Sequence, residues 1–215
     1  MIARIVATPF TAPVGTMPAR APSQPVARRV SADVLAAVAP GAGRDRLAAG
    51  EVLTVTTGQQ PGLFTGPLYT VYKALSAVAL ARRLERERGV PVVPVFWLAG
   101  DDHDFAEANH AWVLNTAGDP VRIVLRERPA DAPLMPLFRE LCGADAGAAL
   151  GRLSDALPDT EFKADVLTCL QSAYRADANL ADAAGAALAG LLGDRGAGLA
   201  IFRAHDRAAK RAAAP

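Results

Sequence analysis

The chain has 215 residues, 51% of them hydrophobic, so it can bury a substantial core and is not a disordered chain. Lys and Arg number 23 against 22 Asp and Glu, and this balance, a formal net charge of +1, excludes the strongly basic surface typical of nucleic-acid binding. No apolar run is long enough for a membrane helix, and the first residues do not follow a signal-peptide pattern. Cys142 and Cys169 show no CxxC spacing, so we expect a reduced, cytoplasmic protein with no membrane partner.

The first residues differ in composition from the rest. Residues 1–30 are predicted to be an extended N-terminal arm, because the stretch 8–28 is rich in Pro, Ala and Arg. Residues 31–215 are assigned to an α/β core. That core begins with SADVLAAVAP, which is typical of a short helix with Ser31 as its N-cap, and a second short helix is expected around residues 43–50.

The centre of the predicted core is a strand–helix–strand unit. VLTVTTG is typical of a buried strand, and the next segment predicts a helix from Pro67 to about Arg88 that ends at Gly89. VPVVPVFWLAG, with its β-branched residues and flanking turn signals, is the second strand. This order predicts a βαβ unit whose two strands are parallel in one sheet.

Residues 111–193 are predicted to form an insertion in this core. AWVLN and VRIVLRE, joined by TAGDP, indicate a β-hairpin, and residues 134–193 are expected to be mostly helical with breaks at LPDT and near RADAN. GLAIF, residues 198–202, predicts one more buried strand. The chain then runs RAHDRAAKRAAAP, either as a natural polar tail or as a truncated chain.

The loop between the first strand and its helix is rich in glycine. Gly58, Gly62 and Gly66 have neither the dinucleotide-binding spacing nor, with Lys73 so far along, the P-loop spacing. A strand-to-helix turn can place backbone N–H groups and the positive end of a helix dipole over the carboxyl edge of a sheet, where ligands bind in open α/β folds. An anion cradle and an ordinary glycine-punctuated turn remain equally open on spacing alone.

Polar side chains in this loop sharpen the case for a ligand. Gln59 and Gln60 each offer a donor and an acceptor for a neutral polar ligand. Tyr69 and Lys73 lie four residues apart and hence on one face of the helix. Lys73 could hold a phosphate or a carboxylate, or it could be solvated like most surface lysines.

The second strand delivers GDDHDFAEANH, residues 100–110, to the same edge. Asp102, His103 and Asp104 form a carboxylate–imidazole set suited to proton transfer or to binding an amine, although one aspartate could instead cap a helix starting near Phe105. His103, Glu107 and His110 would then share a face, but no known zinc spacing is matched and no metal is assigned. His110 could also be a hydrogen-bonded core residue.

Other candidate residues have simpler interpretations. Trp97 and Trp112 flank the acidic cluster and are expected to be core residues rather than ligand platforms. His205, Asp206 and Lys210 follow the last strand, where a polar terminus explains them unless more chain follows.

Two long segments resemble a known family. TGQQPGLFTGPLYTVYKA, followed by GVPVVPVFWLAGDDHDFAEANH, resembles the bacillithiol biosynthesis cysteine-adding enzymes (BshC), which carry both motifs at this separation. The resemblance implies a Rossmann-like parallel sheet similar to class I aminoacyl-tRNA synthetases. It also implies a ligase that adds L-cysteine to the amine of glucosaminyl-malate, with ATP or a related nucleotide as the energy source, and a homodimer formed through a coiled coil absent from this sequence.

The resemblance also implies which residues line the pocket. The substrate-binding set comes from the TGQQ turn and the GPLYT helix start: Thr57, Gly58, Gln59, Gln60, Gly66, Pro67, Tyr69 and Thr70. The catalytic set is Lys73 with Asp102, His103 and Asp104.

This sequence departs from the family at two points. Tyr72 stands where some members have a histidine, and members are more than twice as long, so residues 1–215 resemble an N-terminal portion. Two alternatives therefore stay open: a synthetase-like nucleotide-binding enzyme with another amine substrate, and a non-catalytic remnant that binds a nucleotide or sugar.

Overall fold

A computed structural model describes residues 26–129 and 131–214 of the chain. Most of the predicted N-terminal arm lies outside these residues. The described part begins with strand β1 (Arg28–Arg29) and two short helices, α1 (Ala32–Ala37) and α2 (Ala42–Ala48). Ser31 caps α1 as predicted, because its Oγ accepts a hydrogen bond from the Val34 N–H at 3.3 Å.

The predicted βαβ unit is confirmed. Strand β2 (Glu51–Gln59), helix α3 (Leu68–Arg88) and strand β3 (Val92–Leu98) follow one another, and β2 and β3 are parallel, with Gln59 opposite Leu98 at their carboxyl ends. Gly89 ends α3 in the left-handed conformation at φ 66°, as the sequence predicted.

A one-turn helix and a hairpin follow β3. They are α4 (Phe105–Ala108), β4 (His110–Leu114) and β5 (Pro120–Val124), and the two strands pair antiparallel as predicted. One face of the hairpin packs into the core through Ala111 and Ile123, which lie opposite each other.

Helices follow the hairpin as predicted, with one correction. Helices α5 (Asp145–Ala156), α6 (Lys163–Ala173) and α7 (Leu180–Leu192) are interrupted at the two predicted breaks. Residues 134–144 were also expected to be helical, but they contain only a 3-10 turn at Leu137–Arg139. That segment bonds elsewhere, since the Leu137 N–H donates to the Asp102 carbonyl at 2.7 Å.

The last strand joins the edge of the sheet, and the residues after it form a helix. Strand β6 (Ala200–Arg203) pairs parallel with β3, which gives the sheet order β1-β2-β3-β6 with β1 as the antiparallel edge. The residues after β6 form helix α8 (Arg207–Ala213) rather than a solvated polar tail, with Ala208 and Ala209 buried. None of the helices in the described ranges is long and apolar enough to cross a membrane.

Helices cover both faces of this sheet. One face packs against α1, α2 and α8 through Val93 and Phe202, and the other packs against α3 and α7 through Phe96 and Leu98. The alternation follows from the period of two along β3. A third cluster joins the insertion to the glycine loop, because Leu63 and Phe64 pack among the buried residues of the hairpin and of α5–α7.

The core assignment of the two tryptophans is wrong. Trp97 is 47% exposed and Trp112 is 61% exposed. Trp97 alternates with the fully buried Phe96 and rests on the ring of Phe202, with the centroids 4.8 Å apart. Trp112 points away from the hairpin core because side chains alternate along β4 and the preceding residue, Ala111, faces inward.

Candidate functional site

The turn between β2 and α3 has an unusual backbone. Phe64, Thr65 and Gly66 have consecutive positive φ angles of 53°, 78° and 71°. A non-glycine residue in this region stores about 1–3 kcal/mol of strain and persists only where the surrounding structure enforces it. Gly62 is also required, because a Cβ there would lie 2.9 Å from the Gly66 Cα. The turn is therefore shaped by contacts from outside it.

The start of α3 has no neutralising acidic side chain in its own first turn. Pro67 precedes the helix without a side-chain capping bond, and the first turn contains no acidic residue. The Thr70 side chain is 4% exposed, and its Oγ1 is buried with no partner among the described residues. Free N–H groups and the positive end of the dipole at this point favour an anionic ligand.

Lys73 lies one turn further along α3. Its Nζ donates a hydrogen bond to Gln59 Oε1 at 3.1 Å and lies 5.0 Å from the centroid of the Tyr69 ring. No carboxylate forms an ion pair with Lys73 within residues 26–129 and 131–214. The ammonium group is thus held in place while its charge stays available.

A cavity of about 370 Å³ opens beside this pair. Its lining includes Thr57, Tyr69, Tyr72 and Lys73, so the Tyr72 that departs from the family pattern faces the same space. Two other predicted residues, Gly58 and Gln60, do not line this cavity. Gly58 lies opposite Trp97 in the parallel ladder, and the half-buried Gln60 follows β2.

The aspartates after β3 have structural roles in the turn. Asp102 Oδ1 accepts a hydrogen bond from the Asp104 N–H at 2.8 Å. Asp104 Oδ1 accepts one from the Glu107 N–H at 2.9 Å, so Asp104 is the N-cap of α4. The sequence leaves helix capping open as the alternative role for one of these aspartates. Asp101 forms an ion pair with Lys210 of α8.

His103 is the free side chain of this group. It is exposed and makes no hydrogen bond within the described part of the chain. Together with Asp104 it lines a second cavity of about 330 Å³, whose other walls include Asn109, Glu127 and Arg128. An acidic and a basic residue, Glu127 and Arg128, therefore line the same cavity as His103.

The predicted site residues fall into two groups. Gln59, Tyr69 and Lys73 meet beside one cavity, whereas His103 and Asp104 line another, and the two cavities share no lining residue. The groups are joined through the backbone, because the Ala99 N–H donates to the Gln59 carbonyl at 3.1 Å. They are adjacent at one sheet edge rather than merged into a single pocket.

The metal arrangement considered for His103, Glu107 and His110 does not form. His110 instead bonds through Nδ1 to the Ala106 carbonyl at 3.1 Å and to Asn109 Oδ1 at 3.0 Å. No group of three or more potential ligands is present in the ranges that the structure describes.

The residues after β6 tie the tail to the site. His205 is not part of a solvated terminus, because its side chain is 7% exposed and its Nε2 donates to Asp182 Oδ1 at 3.1 Å. Its ring stacks on Phe138 and lies against Gly100, the residue before the acidic turn. The interpretation of His205 and Lys210 as a polar terminus is therefore wrong, and Asp206 caps α8.

Sequence reasoning missed a residue that contacts the glycine turn. Tyr174, at the end of α6, bonds to both Gly62 and Thr65, 112 and 109 residues away along the chain. No local pattern marks this tyrosine. The signal in the sequence is weak: a tyrosine stands in a largely apolar helical segment, and if it is buried there its hydroxyl needs a partner.

The three parallel strands, their covering helices and the site at their carboxyl ends define a Rossmann-like α/β domain. Residues 39–215 match the family model for bacillithiol biosynthesis BshC, N-terminal Rossmann-like domain. The chain belongs to the BshC family, and both the family and the fold predicted from the sequence are confirmed.

Similar proteins from three bacteria share the name "Putative cysteine ligase BshC". The one from Symbiobacterium thermophilum is 35% identical over 176 residues, which covers 77% of this chain and 31% of that protein. The one from Desulforamulus reducens is 39% identical over 150 residues, covering 68% and 26%, and the one from Heliobacterium modesticaldum is 43% identical over 118 residues, covering 55% and 21%. The chain thus spans less than a third of each.

Proposed function

We propose that this chain is the Rossmann-like part of a ligase that joins the carboxyl group of L-cysteine to the amine of glucosaminyl-malate, the last step of bacillithiol synthesis. The proposal is supported by the BshC family match and by the names of the relatives. The observation that carries it is the Lys73–Gln59 pair beside the uncapped start of α3, within the segment that resembles the family.

The reaction forms a C–N bond from a carboxylate and an amine, which requires activation of the carboxylate. ATP or a related nucleotide would supply this activation by transferring a phosphoryl or nucleotidyl group to a carboxylate oxygen. The amine nitrogen then attacks the carbonyl carbon, the C–O bond to the transferred group breaks, and the amine loses a proton.

The glycine turn is proposed to bind the anionic parts of the reactants. The N–H groups at the start of α3 and the Lys73 ammonium point to phosphate or carboxylate oxygens as ligands. Gln59 orients Lys73, and Gln60, Thr57 and Tyr69 would contact neutral polar groups. In this way the first part of α3 holds the activated end of the substrate.

The acidic turn is proposed to handle the amine. His103 is exposed and unbonded within the described residues, so it can accept the proton that the attacking amine loses. Asp102 and Asp104 each use one carboxylate oxygen in the turn, which leaves the other oxygen able to bind an ammonium group.

The test is product formation. Purified chain is mixed with glucosaminyl-malate, L-cysteine and ATP, and the thiol product is measured by mass spectrometry, with a full-length relative as positive control. Product that depends on all three reactants supports the ligase. Product from the relative but none from this chain contradicts the proposal for the chain alone.

Binding without turnover is the second candidate, because the chain spans less than a third of the relatives that it matches. Saturable ATP binding measured by calorimetry, with no product under the same conditions, would favour it. ATP binding together with product from a different amine would favour the third possibility, a synthetase-like enzyme with another substrate.

A further inference from the structure

The Tyr174 hydroxyl bridges two backbone groups of the glycine turn, the Gly62 carbonyl and the Thr65 N–H. In a four-residue turn, the carbonyl of the first residue accepts from the N–H of the fourth. In the Gly62–Thr65 turn the hydroxyl lies between these two groups: it donates to the Gly62 carbonyl at 3.0 Å and accepts from the Thr65 N–H at 3.3 Å. Residues Leu63–Thr65 form a 3-10 turn in which the Gly66 N–H donates to the Leu63 carbonyl at 2.9 Å, and the Tyr174 hydroxyl adds a bridge between the two groups one position earlier.

The ring of Tyr174 is buried among side chains of the insertion and also contacts the turn. It is 2% exposed, and it belongs to the cluster that contains Cys142 and Leu170. It meets the ring of Phe64 edge to face, with the centroids 5.2 Å apart. Burial also raises the pKa of the Tyr174 hydroxyl, so the group stays neutral and can both donate and accept.

The turn leads directly into the candidate site. Thr65 is followed by Gly66 and Pro67, and α3 begins at the next residue, Leu68. Without the hydroxyl, the Gly62 carbonyl and the Thr65 N–H would each lose this partner, or would shift to bond directly to each other. Either change moves the N–H groups at the start of α3 relative to Lys73.

We propose that Tyr174 is a positioning residue: its hydroxyl bridges the Gly62 carbonyl and the Thr65 N–H and thereby sets the direction of the first turn of α3. The insertion then controls the geometry of the site rather than only covering the sheet. The consequence for ligand binding rests on the proposed function, whereas the effect on the turn does not.

The test compares three chains. Tyr174→Phe removes the hydroxyl and keeps the ring. The control is Leu153→Val or Leu153→Ala, whichever matches Tyr174→Phe in its unfolding midpoint, because Leu153 belongs to the same cluster but lies on α5. Amide hydrogen exchange is measured by NMR in each chain, and ATP affinity is measured by calorimetry.

Loss of one hydrogen bond predicts that exchange of the Thr65 amide rises about tenfold in Tyr174→Phe and that ATP binds about tenfold more weakly. The stability-matched Leu153 variant should change neither by more than about twofold. Exchange at Thr65 equal to that of the wild type overturns the proposal, and so does faster exchange with unchanged ATP affinity. If the wild type does not bind ATP, the nucleotide part of the proposed function fails, and the exchange result alone decides the role of Tyr174.

Discussion

The ammonium group of Lys73 donates a hydrogen bond to the side chain of Gln59 across the junction of β2 and α3, with Nζ and Oε1 3.1 Å apart. The bond holds a cation on the first turns of α3 without neutralising its charge. An amide is a neutral acceptor, so the electrostatic attraction of Lys73 for an anion is retained. This arrangement is expected of a binding residue more than of a structural one.

Lys73→Met should therefore weaken binding of ATP by about ten- to a hundredfold, the effect of losing a charged hydrogen bond of about 1.5–3 kcal/mol. The free energy of unfolding should change by no more than about 1 kcal/mol. Calorimetric titration and urea unfolding measure the two quantities. Lys163→Met is the control, because Lys163 bonds to Asp159 and the Leu157 carbonyl in the helical insertion. Equal ATP affinity in both variants would remove Lys73 from the site.

Asp102 allows charge and turn geometry to be separated. Its Oδ1 accepts the Asp104 N–H, and an asparagine can keep that bond while losing the charge. We expect Asp102→Asn to abolish product formation with an unfolding temperature close to that of the wild type. Asp102→Ala should abolish product and also lower the free energy of unfolding by about 1 kcal/mol, since the turn loses an acceptor. Full activity in Asp102→Asn would show that Asp102 only shapes the turn.

Gln60 can be substituted to test its role in binding, because no side-chain hydrogen bond within the described residues is lost. It is half-buried beside the glycine turn and makes no side-chain hydrogen bond in the part of the chain that the structure describes. Gln60→Ala should abolish product formation while thermal unfolding stays nearly unchanged. A large loss of stability with normal activity per folded molecule would assign Gln60 to packing.

The elements that the sequence predicted well are those encoded by neighbouring residues. The βαβ unit, the hairpin and the Ser31 cap depend on periodicity, turn residues and capping chemistry within a few positions, so local patterns suffice. The local alternation puts Trp97 and Trp112 on the strand face opposite to their buried neighbours, but it does not say whether another element covers that face. Coverage of that face depends on elements distant in the sequence, and Trp97 and Trp112 remain 47% and 61% exposed.

The candidate site was predictable in part for the same reason. The two motifs were placed correctly at one sheet edge, because parallel strands end together. The long-range contacts were not predictable: Tyr174 at the glycine turn, His205 against Gly100 and Lys210 with Asp101 all join positions more than a hundred residues apart. Such pairs follow from the packing of the insertion and the tail.

Gly100 tests the contact between the tail and the acidic turn. A Cβ at this position would lie 2.2 Å from Nδ1 of His205, whose ring is held by Phe138 and Asp182. Gly100→Ala should therefore destabilise the fold by about 1–3 kcal/mol, the usual cost of overpacking. Gly147→Ala is the control: it lies in α5 with open space around it and should stabilise the chain by about 0.5–1 kcal/mol. Similar unfolding midpoints for the two variants would contradict the clash.

Glu140 should be one of the most sensitive positions in the insertion. Its side chain is 5% exposed and pairs with Arg126 at 2.9 Å and with Arg128 at 2.7 Å. Glu140→Ala would leave two partly buried guanidinium groups without their carboxylate, so we expect a loss of about 3–5 kcal/mol. Glu87→Ala, which breaks the exposed pair with Arg83, should cost no more than about 0.5 kcal/mol. Denaturant unfolding gives both values, and comparable losses would show that the buried network contributes no more than a surface pair.

Acid should weaken the contact between α7 and the tail through Asp182. Burial of the Asp182 carboxyl favours its protonated form, but hydrogen bonds from His205 and Asn179 outweigh this effect and lower its pKa. A carboxyl whose pKa is lower in the folded state stabilises the fold above its unfolded pKa of about 3.9, and this contribution is lost as the pH falls through the folded value. The free energy of unfolding of the wild type should therefore decrease below about pH 4 more steeply than that of Asp182→Asn. Parallel curves for the two chains between about pH 5 and pH 2, measured by urea unfolding, would show that Asp182 has no lowered pKa.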